Sequence, residues 1–197
     1  MKVIIQTKMT LKITKKVCPN FEDRMGYKPE IIVIHISAGT IAGMDSWFAS
    51  PSSQVSAHYG VGIDGTYSQY VDETKAAWAN GRVKNPSFKL YKPNVNPNLY
   101  TISIENEGMD LSKAINIQLQ ALYSLIKDIA SRNNIPLDRD HIIGHFEIDA
   151  VNKPFCPSPD HTIMDRIVTA LNADPLVCVM CPQSKVDAVK NFISNLK

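Results

Sequence analysis

Two histidines and one cysteine carry the chemistry of this chain. His35 closes an apolar run, Ile31-Ile32-Val33-Ile34-His35, and His145 follows a second, His141-Ile142-Ile143-Gly144-His145. Cys156 lies in Lys153-Pro154-Phe155-Cys156-Pro157. A lone histidine at the end of a buried strand is an ordinary hydrogen-bonded core residue. Two of them, each behind an isoleucine-rich strand and joined by a cysteine whose backbone is stiffened by prolines, point instead to a metal. Two imidazoles and a thiolate are good zinc ligands, and a catalytic zinc keeps three protein ligands and an open fourth position for water. The expected cofactor is therefore Zn2+, and the expected class is a zinc hydrolase.

A zinc hydrolase needs a group to take the proton of the attacking water. Glu105 stands in Thr101-Ile102-Ser103-Ile104-Glu105-Asn106-Glu107. On a strand, Ser103, Glu105 and Glu107 face one side while Ile102 and Ile104 face the other. Glu105 is the candidate base, and Glu107 reads as a solvated charge at the strand end. Lys153 is a candidate cation beside a developing oxyanion. His58, on the alternating stretch Val55–Ile63, reads as a third zinc histidine or, better, as part of the cleft wall or a residue behind the ligands that supports them. His141 and His161 read as surface or capping residues.

The elements that position these groups follow from periodicity. Residues 31–36 form a wholly apolar, β-branched run, expected as a buried strand, and Ser37-Ala38-Gly39-Thr40 breaks it. A short helix is expected around Trp47-Phe48. Residues 55–63 and 66–71 read as a hairpin closed by Asp64-Gly65. Residues 79–98, rich in Asn, Pro and Lys, read as a long surface loop. A strand over 100–105 precedes a helix N-capped by Ser112, with Ile115, Leu119, Leu122, Ile126 and Ile129 on one face and Asn133-Asn134-Ile135-Pro136 as its stop. Ile142-Ile143 is a short strand, and 160–171 a helix packed through Ile163, Ile167 and Leu171. Strands and helices mix without strict alternation, so the expected fold is α/β, a central mixed β-sheet flanked by helices.

Composition narrows the class. The 197 residues are 44% apolar and 20% charged, enough to bury one full core. A net charge of +2 gives no reason to expect nucleic acid. The amino-terminal segment has no apolar stretch of signal-peptide length, and no segment approaches the ~20 residues of a membrane span. The expectation is a soluble protein made in the cytoplasm without membrane insertion, reaching any outside substrate by another route. Four cysteines are too few for a disulfide scaffold. Cys178-Val179-Met180-Cys181 is a lone CxxC and reads as two ordinary thiols.

Five ordered pieces resemble the zinc-dependent N-acetylmuramoyl-L-alanine amidases of the type-2 family, which includes phage endolysins and bacterial autolysins and is related to the peptidoglycan recognition proteins. They are Ile32-Val33-Ile34-His35-Ile36-Ser37-Ala38-Gly39, Val55-Ser56-Ala57-His58-Tyr59, Asp64-Gly65-Thr66, Thr101-Ile102-Ser103-Ile104-Glu105, and Ile143-Gly144-His145 through Cys156-Pro157. The resemblance implies a sheet of about six strands in a peptidoglycan-recognition-protein-like amidase fold. It implies hydrolysis of the amide between lactyl-muramic acid and L-alanine, with bacterial peptidoglycan as partner. It places His35, His145 and Cys156 as zinc ligands, Glu105 and Lys153 as catalytic groups, and His58, Trp78 and Asn80 at the substrate. Lys153 lies three residues before the last ligand, where many members have two, and Ala79 stands where the family often has a histidine. A phage or phage-derived lysin released through a membrane lesion fits best. A non-catalytic peptidoglycan-binding module and a thiol hydrolase built on Cys156 and His145 are the alternatives. Residues 1–175 are expected to be the catalytic domain and 176–197 a tail with a short amphipathic helix; oligomeric state is left open.

Overall fold

The computed structural model describes residues 11–173. The CxxC pair, the expected last helix and the Asp174-Pro175 boundary lie outside the described residues. Within them the strands are β1 (Ile13–Lys15), β2 (Phe21–Asp23), β3 (Ile31–Ile36), β4 (Tyr59–Val61), β5 (Tyr67–Gln69), β6 (Lys75–Ala77), β7 (Thr101–Asn106) and β8 (Ile142–Gly144), and the helices are α1 (Ile41–Ala49), α2 (Asn116–Asn133) and α3 (Ile163–Asn172). Six strands form one mixed sheet in the order β1-β5-β4-β7-β3-β8, and β2 pairs with β6 in a two-stranded ribbon. In the large sheet only β4 and β5 pair antiparallel.

β3 is the hub. It pairs in parallel with β7 on one side and β8 on the other, and a strand buried on both faces reads as an unbroken apolar run. Ile32 and Ile34 face the main core with Ile102, Ile104 and the inner sides of α2 and α3, including Leu122, Leu125, Ile126 and Ile167, all without exposed surface. Burying each such side chain contributes about 1.5–3 kcal/mol. Ile31 and Val33 face the other way, toward Phe88, Tyr100, Ile143 and Ile148. Among the described residues, no long helix covers that second face. The stretch over 79–98 covers it instead, with Phe88 as its plug and Leu90, Tyr91 and Val95 packed around. The expected surface loop is thus a packed layer, because its few apolar side chains are what seals the sheet there.

Several boundaries differ from the sequence-based expectation. The strand over 55–63 shortens to Tyr59–Val61: Ser56 bonds to Trp78, and His58 bonds to Ser103 through its N–H and Nδ1 while its carbonyl still accepts from the Tyr70 N–H of the return segment. Ser112 is not the cap of α2. It sits in a single 3-10 turn where Asp110 Oδ1 accepts from its backbone N–H and its hydroxyl. The helix starts at Asn116, and Ile115, expected on the buried face, lies just outside it and is half-exposed. Asn134 ends α2 in the left-handed conformation, as its place in the Asn133-Asn134 pair suggests.

Arg24 is a buried staple. Its guanidinium donates to the carbonyls of Glu73, Leu99 and Thr101 at 2.7, 2.7 and 3.0 Å. These carbonyls lie where β7 begins and where the chain enters β6, so one side chain ties the second ribbon to the main sheet. Burial lowers the Arg24 pKa to about 10, which still leaves it charged at neutrality. Arg24→Met should cost roughly 3 kcal/mol, because several buried acceptors lose a charged donor at once. Denaturant melts of the two proteins measure it, and a loss below about 1 kcal/mol would show that the staple is dispensable.

Candidate active site

Strand register builds the site. His35 and Glu105 are direct partners in the β3–β7 ladder, and Ile34 partners Gly144 in the β3–β8 ladder. His145 follows Gly144, so the carboxyl ends of three adjacent parallel strands carry Glu105, His35 and His145 side by side. This is the edge at which open α/β sheets bind ligands. On the far side of Glu105 the paired residue is Gly60, whose missing side chain leaves room for the Tyr70 ring 3.0 Å from where a Cβ would stand.

Beyond β3 the chain turns sharply. Ala38 adopts φ +52°, Ser37 Oγ accepts from the Gly39 N–H, and Thr40 Oγ1 caps α1 through the Gly43 N–H. This turn sends α1 back along one wall of a cleft of about 600 Å³. His35, Glu105, His145, Lys153 and Cys156 line one end of it, and Met44, Trp47, Gln54, Val55 and Trp78 line the rest.

The three candidate ligands meet. One donor atom from each of His35, His145 and Cys156 lies within 4.8 Å of the other two. The two Nδ1 atoms face each other at 2.9 Å. His145 Nε2 lies 3.0 Å from the Asn80 backbone carbonyl. A carbonyl only accepts, so Nε2 carries the hydrogen and the His145 Nδ1 lone pair is free toward the cleft. Burial holds both histidines neutral: it lowers His145 to about 4 and His35 well below its ordinary value, with Lys153 pushing the same way. Neutral imidazole is the ligand form. Cys156 Sγ accepts from the Ile36 N–H at 3.4 Å, and burial together with nearby Glu105 pushes the thiol up to about 12. Two lone-pair nitrogens and one soft sulfur converging in a shielded pocket fit zinc by donor type.

Glu105 stands beside this cluster. Its Oε1 is 3.9 Å from His35 Nδ1, only 16% of its side chain is exposed, and Oε2 is buried without a hydrogen-bond partner. Burial raises its pKa to about 7, and Lys153 pulls against that rise. A carboxylate poised near neutrality both takes and returns a proton. Lys153 is exposed and lines the cleft, one turn from Cys156, whose N–H bonds the Lys153 carbonyl.

The structure separates the remaining predicted residues. Trp78 lines the cleft. His58 does not: it has no exposed surface, Nδ1 accepts from the Ser103 N–H, and Nε2 reaches the Lys75 carbonyl. Burial and the neighbouring Arg24 hold it neutral, with a pKa of about 3. The expectation that it faces substrate or metal fails because β4, β6 and β7 close over it. Asn80 is fully buried too, its amide bonded to Thr101 Oγ1. Its contribution is the backbone carbonyl that orients His145. Glu107 bonds the Ile63 N–H at 2.8 Å, away from the cleft. Sequence reasoning missed Glu147, whose Oε2 accepts from the Gly144 N–H and from Arg139, fixing the turn that presents His145. It also missed Trp47, 59% exposed over the cleft. A large aromatic on the outer side of a short helix was the available signal.

With the geometry in hand, the relatives fall into line. A family model described as N-acetylmuramoyl-L-alanine amidase matches residues 25–159, and the chain belongs to that family. N-acetylmuramoyl-L-alanine amidase A of Achromobacter lyticus is 35% identical over 107 residues, which are 53% of this chain and 52% of the relative. The chain thus spans about half the length of that curated relative. Among solved structures, a selenomethionine derivative of AmpD superimposes with a TM-score of 0.67 at 23% identity, over 87% of this chain and 100% of that one. A mutant endolysin from Bacillus subtilis gives 0.60 at 21% identity, over 83% and 100%. These likenesses establish the shared fold, a mixed sheet of the peptidoglycan-recognition type.

His35→Ala removes one of three candidate ligands and should abolish stoichiometric zinc while leaving Arg24 and the main core intact. Metal analysis after dialysis, alongside circular dichroism, checks it. Full zinc retention in a folded variant would remove His35 from the ligand set.

Proposed function

We propose that this chain hydrolyses the amide between the lactyl group of N-acetylmuramic acid and L-alanine in bacterial peptidoglycan, with zinc held by His35, His145 and Cys156. The observation that carries the reading is Glu105, a shielded carboxylate 3.9 Å from a ligand nitrogen in a cleft whose family is that of muramoyl-alanine amidases. Zinc bound there supplies a Lewis acid for the amide carbonyl and water acidic enough to ionise near neutrality.

The protein's own groups do the rest. Glu105 takes the proton of the attacking water as the new C–O bond forms. Negative charge then develops on the former carbonyl oxygen, and the Lys153 ammonium lining the cleft stabilises it. Collapse breaks the C–N bond, and Glu105 returns the proton to the departing alanine nitrogen. The α1 wall, with Trp47 and Trp78, holds the substrate and keeps bulk water from the reacting bond.

The thiol-hydrolase alternative is disfavoured by the same geometry. Cys156 is held as a thiol by burial, and the His145 Nδ1 that would have to activate it faces His35 at 2.9 Å. A binding module without catalysis has no use for a complete ligand set with a shielded acid beside it.

We further propose residues 1–175 as the catalytic unit. The described sheet and its three helices already close their cores within residues 11–173. Deleting 176–197 should leave a folded, zinc-loaded amidase, by thermal melting, metal analysis and turnover. Unfolding on truncation would place the tail in the core.

Glu105→Gln should keep fold and zinc yet lose on the order of 10²–10⁴-fold in kcat. Near-wild-type turnover would move the proton transfer elsewhere. Digests of purified cell wall should yield new N-terminal L-alanine and no new reducing sugar ends, and a chelator should stop the reaction. New reducing ends would mean cleavage of the glycan instead.

A further inference from the structure

The segment that carries Lys153 and Cys156 is a strap between β8 and α3. Its backbone is held at its carboxyl end, where Phe146 N–H donates to the Cys156 carbonyl at 2.9 Å and Leu111 N–H to the Pro157 carbonyl at 3.1 Å. Nearer its start, the Lys153 N–H bonds the Asp149 carbonyl. Pro154 has no N–H to give, and its carbonyl meets a side chain: His161 Nε2, at 2.7 Å. The same imidazole lies flat on the Phe146 ring, with centroids 3.8 Å apart and planes 4° from parallel. Phe146 is the neighbour of His145. Its ring also packs where a Cβ on Gly144 would stand, 2.5 Å away, and Pro157 closes the other side of that glycine at 2.9 Å.

We infer that His161 is a positioning residue for the active site, setting the Lys153–Cys156 strap against the His145 turn. It acts through two contacts of one ring. The stack on Phe146 places the imidazole over the segment that carries one ligand, and the Nε2–H bond to Pro154 draws in the segment that carries the other. A carbonyl only accepts, so Nε2 must hold the hydrogen, which both the neutral and the charged ring provide. The bond therefore persists whichever form is present. The side chain touches neither the candidate ligands nor the cleft, and α3, which begins at Ile163, anchors its backbone.

The metal readout rests on the proposed zinc amidase, so a second readout is independent of it. Three variants separate the contacts: His161→Ala loses both, His161→Phe keeps a stacking ring without the donor, and His161→Gln keeps a donor at the position of Nε2. The first measurement is the rate of Cys156 alkylation by iodoacetamide in the metal-free protein, resolved by residue with mass spectrometry. Buried Cys18 serves as the internal reference. The second is zinc affinity by chelator competition. The Ala and Phe variants should alkylate Cys156 several-fold faster with Cys18 unchanged, and bind zinc about 10-fold more weakly. His161→Gln should restore both toward wild type. Wild-type Cys156 rates in the Ala variant would overturn the inference. So would a wild-type Phe variant, or equal acceleration at Cys18, which would report general loosening. If the unaltered protein binds no zinc, the amidase reading fails while the alkylation rates still decide the role of His161.

Discussion

Parallel pairing of β3 with β7 and β8 is the constraint on which everything else depends. Register in a sheet has a period of two, so a slip of one residue would turn His35 and Glu105 into the helical core and bring Ile34 and Ile104 to the cleft. The slip is prevented by burial on both faces. Ile32, Ile34, Ile102 and Ile104 are sealed beneath α2 and α3, and Ile31 and Val33 beneath Phe88 and Tyr100. Apolar area thus sets the alignment of three polar side chains that contribute nothing to the core themselves.

Those polar side chains are costly where they stand. His35 Nε2 and Glu105 Oε2 are buried without partners, as are Asn80 Oδ1, Ser103 Oγ and Asn106 Oδ1 on the neighbouring segments. An unpaired buried polar atom costs on the order of 1–3 kcal/mol. The stability offsetting that cost comes from the isoleucine layers and from staples such as Arg24. His58 makes the contrast. It is equally buried, but both ring nitrogens are engaged by backbone groups, and it serves the framework.

Much of this was legible along the chain. Unbroken β-branched runs mark strands buried on both faces, so β3 and the location of His35 at its end could be read directly. The 3.6-residue period of α2 and α3 could be read too. Less legible were features that rest on contacts between distant segments. Ser112 looks like a helix cap until Asp110 claims both its donors. The 79–98 stretch looks like a solvent loop because its five packing residues, Val83, Phe88, Leu90, Tyr91 and Val95, are spaced among Asn, Pro and Lys. His58 and Asn80 look like cleft residues because their motifs adjoin the site, while their side chains turn inward.

The sequence by itself determined the candidate ligand types, the candidate acid and the strands that end in them, because residue chemistry and hydrophobic period are local properties. The tertiary structure decided which atoms do the work. Only folding shows that Asn80 acts through its carbonyl and not its amide, that Glu147 steadies the turn before His145, and that His161 reaches Pro154 across the strap. Each of these depends on a hydrogen bond between segments that no spacing along the chain encodes. Hydrogen bonds are directional and short-ranged, so their partners are set by where packing brings the backbone and not by which residues are near in sequence.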